Sequence, residues 1–321
     1  MDFFIFDFQK DQYLINSFLK EASSAHKQKE KTAEWFHWKF TKCPYGRSLL
    51  ACAKENEEIA GCVAFGRQDF FYNNQRIKGA ISFETFVSPK HQGKGLFKKL
   101  TSFAEAEAKN IGIEILLNFP NSISLSGFLK MGWQQIDVGL YFLKLNNPLH
   151  VIQDFKSLRK SFIPEASNIS SLDNAAFTDF QQHLNLRNEL TPEITQEYLE
   201  WRFLTFPVSK YITINNSEFY SVARIGYRGN LSELQILLIE PKMNTYYVSI
   251  NQLIKEYKKI CKFDVIGIPV SKGNFLNRNI KKAGFFKVPS RGNVCFKILN
   301  KEIDPLIITN IDYQGLMAHA S

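Results

Sequence analysis

The stretch from Val87 to Phe97 (Val-Ser-Pro-Lys-His-Gln-Gly-Lys-Gly-Leu-Phe) combines residue types suited to holding a phosphate. A period-2 run from Ile77 to Val87 reads as a strand that ends at Pro89, and a helical pattern opens near Gly95 and runs to about Asn110. A glycine-bearing loop between a strand and a helix N-terminus gathers unsatisfied N–H groups at the positive end of the helix dipole. Gly93 and Gly95 allow the main chain to approach an anion and to take turn dihedrals without a Cβ penalty. Lys94, Lys98 and Lys99 raise the local positive potential. The spacing is neither that of a Walker loop nor that of a dinucleotide fingerprint.

The elements around this loop predict a mixed α+β architecture. A strand is expected at 3–8, helices near 10–23 and 32–42, and strands near 48–54, 58–71 and 77–87. Turn chemistry at Glu55-Asn56 and Asn73-Asn74 separates these strands. A helix at 95–109, a strand from Ile113 to Leu117, a short helix at 123–131 and a strand at 134–145 complete the pattern.

The loop resembles the acyl-CoA pyrophosphate loop of the GNAT superfamily of N-acyltransferases. That signature is Gln or Arg, two residues, Gly, one residue, then Gly or Ala, after a strand ending in Val-x-Pro. Gln92, Gly95 and Val87-Ser88-Pro89 match it, while Phe97 stands where Gly or Ala is usual. The order of hairpins followed by a strand–helix–strand unit is also that of GNAT domains.

The chain carries a second, fainter copy of the same plan. Thr32 to Pro44 aligns with Thr195 to Pro207, matching Glu34 with Glu197, Trp38 with Trp201, Lys39 with Arg202 and Phe40 with Phe203. Val87-Ser88-Pro89-Lys90 answers to Ile239-Glu240-Pro241-Lys242, Asn118-Phe119-Pro120 to Gly267-Ile268-Pro269, and Lys130 to Trp133 answers to Lys282 to Phe285. The resemblance therefore implies two GNAT-like domains in tandem, each a mixed, mostly antiparallel sheet flanked by helices. The expected boundaries are 1–147 for the acyl-CoA-binding domain, 148–164 for a linker, 165–300 for the second domain and 301–321 for a C-terminal tail. In the second copy the loop reads Met243 to Tyr247 without glycine, so that copy is expected to have lost the cofactor. Trp38, Phe40 and Pro44 persist there as Trp201, Phe203 and Pro207, which marks them as structural anchors. Trp35 and His37, replaced there by Tyr198 and Glu200, are the candidates for substrate contact.

What the resemblance implies for chemistry is acyl transfer from acetyl-CoA or a related thioester to an amine, with CoA as co-substrate and no metal. Phe86 and Val87 are expected to offer main-chain N–H groups to the thioester and pantetheine. Gln92, Gly93, Lys94, Gly95, Leu96 and Phe97 form the pyrophosphate cradle, and Asn118, Asn121 and Ser124 meet the pantetheine arm. Phe128 occupies the position of the family's thiolate-protonating Tyr and cannot donate a proton. Asn121 and Ser122 are equally well suited to capping a helix. Glu84, beside Phe83 and Phe86, is the expected general base, with a carboxyl pKa raised by desolvation.

Composition agrees with this class. The 321 residues are 45% hydrophobic and 22% charged with a net charge of +9, enough for two folded domains. A mild positive excess suits a polyphosphate cofactor, and no concentrated basic stripe or recognised module points to nucleic acid. No apolar run approaches the ~20 residues that span a bilayer. Five cysteines without metal-ligand spacing, and scattered histidines including His26, His37 and His91, predict a cytoplasmic protein without a metal centre. The acceptor, a small-molecule or protein amine, and the oligomeric state are not encoded in these motifs. A non-catalytic acyl-CoA sensor and a transferase of longer acyl or aminoacyl groups are the competing readings.

Overall fold

A computed structural model describes the chain except residues 27–30, 138, 156–188, 208–210, 242–248, 275, 290–292, 310 and 313–321. The strands, in chain order, are β1 (Asp2–Ile5), β2 (Leu49–Glu55), β3 (Glu58–Arg67), β4 (Phe70–Tyr72), β5 (Gln75–Ile77), β6 (Gly79–Val87), β7 (Ile115–Asn118), β8 (Gln134–Ile136) and β9 (Gly139–Leu145). They continue with β10 (Thr191–Pro192), β11 (Ile212–Asn215), β12 (Phe219–Arg228), β13 (Leu231–Pro241), β14 (Val265–Ser271), β15 (Phe286–Val288) and β16 (Val294–Ile298). The helices used below are α1 (Ile15–His26), α2 (Ala33–Thr41), α3 (Leu96–Asn110), α4 (Ser122–Lys130) and α5 (Pro148–Phe155).

Two compact units emerge, and they do not follow the expected boundaries. The first unit holds Met1–Asp137, Glu197–Val208 and Gly292–Thr309; the second holds Val138–Gln196, Ser209–Arg291 and Asn310–Ser321. The first sheet runs β1-β2-β3-β6-β7-β16-β8 and the second β11-β12-β13-β14-β9-β15. The expected strand at 134–145 is therefore two strands in different sheets. β8 closes the first sheet, while β9 pairs antiparallel with β14 in the second. Conversely β16 pairs with β7, Cys295 opposite Asn118 and Ile298 opposite Ile115. The free hydrogen-bonding edge of β7 needs a partner strand, and it is filled, antiparallel, by a strand late in sequence rather than by the next one. Within the expected tail, Ile311 bridges Leu190, and Asp312 Oδ1 accepts hydrogen bonds from Ser271 Oγ and Asn274 Nδ2.

The two sheets share one plan. Antiparallel strands lead to a parallel pair, β6 with β7 and β13 with β14, followed by an antiparallel strand. Each also carries a register irregularity at the corresponding place. In the first, Cys62 faces Phe86 and Ala64 faces Phe83, so Glu84 and Thr85 stand against the single residue Val63. In the second, Val222 faces Leu238 and Ala223 faces Ile236, leaving Leu237 extra.

Local sequence explains the first unit's frame. The β2–β3 and β4–β5 hairpins turn on Asn56-Glu57 and Asn73-Asn74, all with positive φ, as a two-residue hairpin turn requires. In α3, Leu96, Leu100, Ala104 and Ala108 recur every four residues and form one buried stripe against Ala51, Ala53, Ala60, Val63 and Leu116. The alanines on β2 and β3 keep this helix close to the sheet. An aromatic cluster, Phe6, Phe18, Phe36, Phe40 and Phe86, packs largely edge-on or tilted and anchors α1 and α2. In the second unit, Ile250, Leu253, Ile254 and Tyr257 of the helix Ile250–Ile260 pack on Ile212, Phe219, Leu234 and Ile266.

The aromatic motifs that define the repeat pair with each other inside the first unit. Trp38 stacks on Trp201 with ring centroids 4.7 Å apart and planes 14° from parallel. Trp38 Nε1 donates to Trp201 O and Trp201 Nε1 donates to Trp38 O, each at 3.0 Å. Trp201 sits in the π-helical turn Glu200–Leu204 that continues the helix Gln196–Leu199.

Candidate functional site

The glycine loop and the strand before it form an open-ended construction. β6 pairs in parallel with β7 from Gly79–Ile115 to Ser82–Asn118, and no pairing with β7 continues past Ser82. From Phe83 to Val87 the strand runs on beyond the end of β7 at Asn118, with its ladder pairing on the β3 side. The bulge at Glu84-Thr85 increases the local bend, and Glu84 adopts φ +45°, a left-handed conformation uncommon for a residue with a side chain. A thioester arm added along such an edge would use the same hydrogen-bonding groups as an extra strand.

Beyond Val87, Ser88 N bonds Ala60 O, His91 N bonds Ser88 O, and a short 3₁₀ turn, Pro89–His91, leads into the loop. Gln92 Nε2 donates to Val87 O at 3.1 Å, tying the loop to the strand end. Gly93 (φ +76°) and Gly95 (φ +73°) are left-handed, and a Cβ on either would meet no atom within 4 Å. Open space therefore lies over both, while their backbone conformation excludes ordinary side chains. Gly95 caps α3, whose Lys99 N–H closes on Gly95 O; the N–H groups of Leu96, Phe97 and Lys98 precede that bond and point out of the helix start. Gln92, Lys94, Lys98 and Lys99 are exposed around this opening. These features suit a pyrophosphate, with main-chain donors in the centre and ammonium groups at the rim.

The departure at Phe97 has a local answer. Its ring lies against Gly127 of α4, where a Cβ would come within 2.6 Å of it, and meets Phe128 edge-on at 5.1 Å. The bulk that the signature avoids in the loop is accommodated by a glycine on the neighbouring helix.

Glu84 differs from its expected electrostatics. Its side chain is only 5% exposed, and its carboxylate receives Lys31 Nζ at 2.7 Å and Lys39 Nζ at 2.9 Å. Burial pushes the carboxyl pKa up, but Lys39 and Lys31 together outweigh it and hold the group at about 2. The expected rise does not occur, because desolvation is answered by two ammonium groups that the local sequence around Glu84 does not announce. Trp35 roofs this cluster: it is buried, with Lys31 Nζ 4.2 Å and Lys39 Nζ 5.2 Å from its ring centroid. Lys39 is buried too, and burial lowers its pKa more than Glu84 raises it. His26, one of the scattered histidines of the sequence, stands at the end of α1 with Nε2 3.9 Å from Glu84 Oε2. The separation of 53 and 45 residues between Glu84 and its lysines shows why no local pattern could reveal the cluster.

The remaining expected residues divide. Phe86 is buried opposite Cys62, and Val87 opposite Gly61, where β6 runs on beyond β7. Asn118 is buried at the end of β7 beside Ser82, where the pairing of the two strands ends. Leu96 is buried as the first residue of α3. Asn121 Oδ1 accepts from Ile123 N, Ser124 N and Ser124 Oγ, so both Asn121 and Ser124 are engaged in capping α4. Phe128 is 1% exposed and packs between Phe97 and Trp133, which places it in the core and not on the cleft. His37 is half-buried against Phe36, away from the Glu84 cluster's ion pairs. The glycine-free stretch Met243 to Tyr247 lies outside the described residues. Cys52 and Cys62, directly opposite on β2 and β3, are buried free thiols. Among the described residues no group of three His, Cys, Asp or Glu is arranged to hold a metal, and no helix is long and apolar enough to cross a membrane.

A parallel strand pair of which one strand runs on alone, a bulge in that strand and a glycine-capped helix after it define the acyl-CoA-dependent N-acyltransferase fold. Residues 12–133 match the model of the Acetyltransferase (GNAT) family. The fold extends over nearly the whole chain. A GCN5-related N-acetyltransferase from Anabaena variabilis ATCC 29413 superposes with a TM-score of 0.65 at 14% identity, over 93% of this chain and 73% of that one. A probable N-acyltransferase from Enterococcus faecalis V583 gives 0.64 at 11% identity, with the same coverage of 93% and 73%. Eis1 from Mycobacterium abscessus gives 0.61 at 11% identity, covering 98% of this chain and 83% of that one. A comparison with curated proteins finds no match.

Proposed function

We propose that this protein is an acyl-CoA-dependent N-acyltransferase, with acetyl-CoA as donor, acting in its first unit on a small-molecule or protein amine. The observation that carries the reading is the pair of left-handed glycines, Gly93 and Gly95, open on their Cβ side at the start of α3, beyond the end of the β6–β7 pairing. The pyrophosphate would lie on the main-chain donors from Gly93 to Lys98, and the acyl thioester along Phe86 and Val87. A main-chain donor aimed at the developing oxyanion in a dry site is worth ~3 kcal/mol of the barrier. The thiol leaves readily at a pKa of ~8.5, so no protonating Tyr is required at position 128. One CoA per chain, a cytoplasmic location, and no role for nucleic acid, membrane or metal belong to the same reading.

Calorimetric titration with CoA, together with thiol release from acetyl-CoA across a panel of amines, tests it. One site per chain and amine-dependent thiol release are expected. Gly95→Glu places a carboxylate beside the pyrophosphate and forces a side chain into a left-handed position. One charge at ~4 Å costs about 4 kcal/mol at an effective dielectric near 20, roughly a thousandfold in affinity. Two equivalent sites, or undiminished binding by Gly95→Glu, would place the cofactor elsewhere. Tight CoA binding without thiol release for any amine would make the protein a sensor.

A further inference from the structure

We infer that His26 is the group that takes the proton from the acceptor amine, with Glu84 orienting its ring; the inference rests on the acyl-transfer reading above. A proton acceptor beside the bulge of β6 must be unprotonated and must retain affinity for a proton, close to the end of the strand. Glu84 occupies the position but not the state, since its carboxylate is already committed to Lys31 and Lys39. A carboxylate so stabilised has little affinity left for a further proton.

His26 meets the requirement. Its ring stands edge-on to Phe86, centroids 6.1 Å apart, on the strand that would hold the thioester. Nε2 is buried and, among the described residues, has no hydrogen-bond partner, while Glu84 Oε2 lies 3.9 Å away. The tautomer with hydrogen on Nε2 directs that hydrogen toward the carboxylate and leaves the lone pair on Nδ1. The side chain as a whole is 30% exposed although Nε2 is covered, so the ring is reachable from solvent on another edge. Among the described residues, the charged groups facing it are Glu84 on β6 and Lys31 and Lys39 on and beside α2. Burial lowers the imidazole pKa, Glu84 opposes this, and Lys31 and Lys39 add to the lowering. The ring is thereby neutral near pH 7 and able to act as base. The dyad logic is that of a histidine facing a carboxylate, here by charge at 3.9 Å.

The step balances simply. The amine nitrogen forms a bond to the thioester carbonyl carbon, and the proton it sheds passes to His26 Nδ1. The C–S bond breaks, its electron pair leaves on sulfur as thiolate, and the imidazolium returns its proton to that thiolate or to solvent. Glu84 stabilises the transient imidazolium as a positioning residue.

The test combines a pH–rate profile with NMR titration of the imidazole, using the full chain, acetyl-CoA and the best amine of the panel. In the native protein kcat/KM should fall on the acid side with an apparent pKa equal to that of His26 measured directly. His26→Gln should lower kcat/KM about a hundredfold or more and abolish that acid limb, with CoA affinity unchanged within twofold. Glu84→Gln should move the limb to lower pH, because removing the carboxylate weakens the imidazole as a base. A His26→Gln enzyme that keeps its rate within threefold and retains the limb overturns the assignment, as does a native limb that fails to coincide with the His26 titration. Failure to bind CoA, or to acetylate any amine, overturns the acyl-transfer reading itself and His26 with it.

Discussion

Replacing Glu84 by Gln should cost stability, and the size follows from the cluster. The carboxyl group is held at about 2 against an ordinary value of 4.5, a difference of about 2.5 units. At 1.36 kcal/mol per unit this is about 3 kcal/mol of stabilisation of the charged form. Removing the carboxylate also leaves Lys31 and Lys39, 11% and 6% exposed, without their shared counter-ion. Breaking a buried ion pair in this way typically costs ~3–5 kcal/mol, in agreement with the first figure. Lys39 is disfavoured as an ammonium by burial first, while Glu84 favours its charged form, so loss of the carboxylate leaves the lysine worse off as well. The sign with pH is fixed by the depressed pKa. Glu84 contributes fully above about pH 4.5, and its contribution is lost as pH falls from there toward 2. Urea unfolding of the native protein and of Glu84→Gln should therefore show a gap of about 3 kcal/mol at pH 7 that narrows toward pH 2. A gap under 1 kcal/mol, or one that does not change with pH, would refute the reasoning. Adding Lys39→Met to Glu84→Gln should recover part of the loss.

The core position of Phe128 makes Phe128→Tyr destabilising by about 1–3 kcal/mol, since its hydroxyl would enter the packing between Phe97 and Trp133. Thermal melting checks this, and a variant as stable as the native protein but faster in thiol release would return residue 128 to the cleft. The reciprocal hydrogen bonds of Trp38 and Trp201 should couple their substitutions. In a double-mutant cycle with Phe at both positions, a coupling energy of about 1 kcal/mol is expected, and strict additivity would show that the stacked pair is not formed in solution.

Sequence alone determined the local events. The turns at Asn56 and Asn73-Asn74, the four-residue stripe of α3, the left-handed glycines before it and the cap at Asn121 all depend on residues a few positions apart. Such spacings are set by backbone geometry, so the loop, its flanking strand and helix, and through them the family were legible in residues 77–110. The expected repeat rested on the same kind of local spacing, as landmarks in one order. What the tertiary structure decided were partnerships over long separations. Nothing in the pattern of 139–145 or 294–298 says which sheet edge each strand will complete, because strands with similar alternation can fill either vacant slot. The charge state of Glu84 was likewise invisible: its apolar neighbours on β6 favour a raised pKa, and only packing brought Lys31 and Lys39 within 3 Å to reverse it. Phe128 and Phe97 follow the same rule. Their chemistry was read from the motif, but whether a ring faces the cleft or the core depends on the shape of the helix opposite, here on Gly127. His26 enters the candidate site by this route too, since the fold, not the spacing of residues, carries it to the bulge of β6.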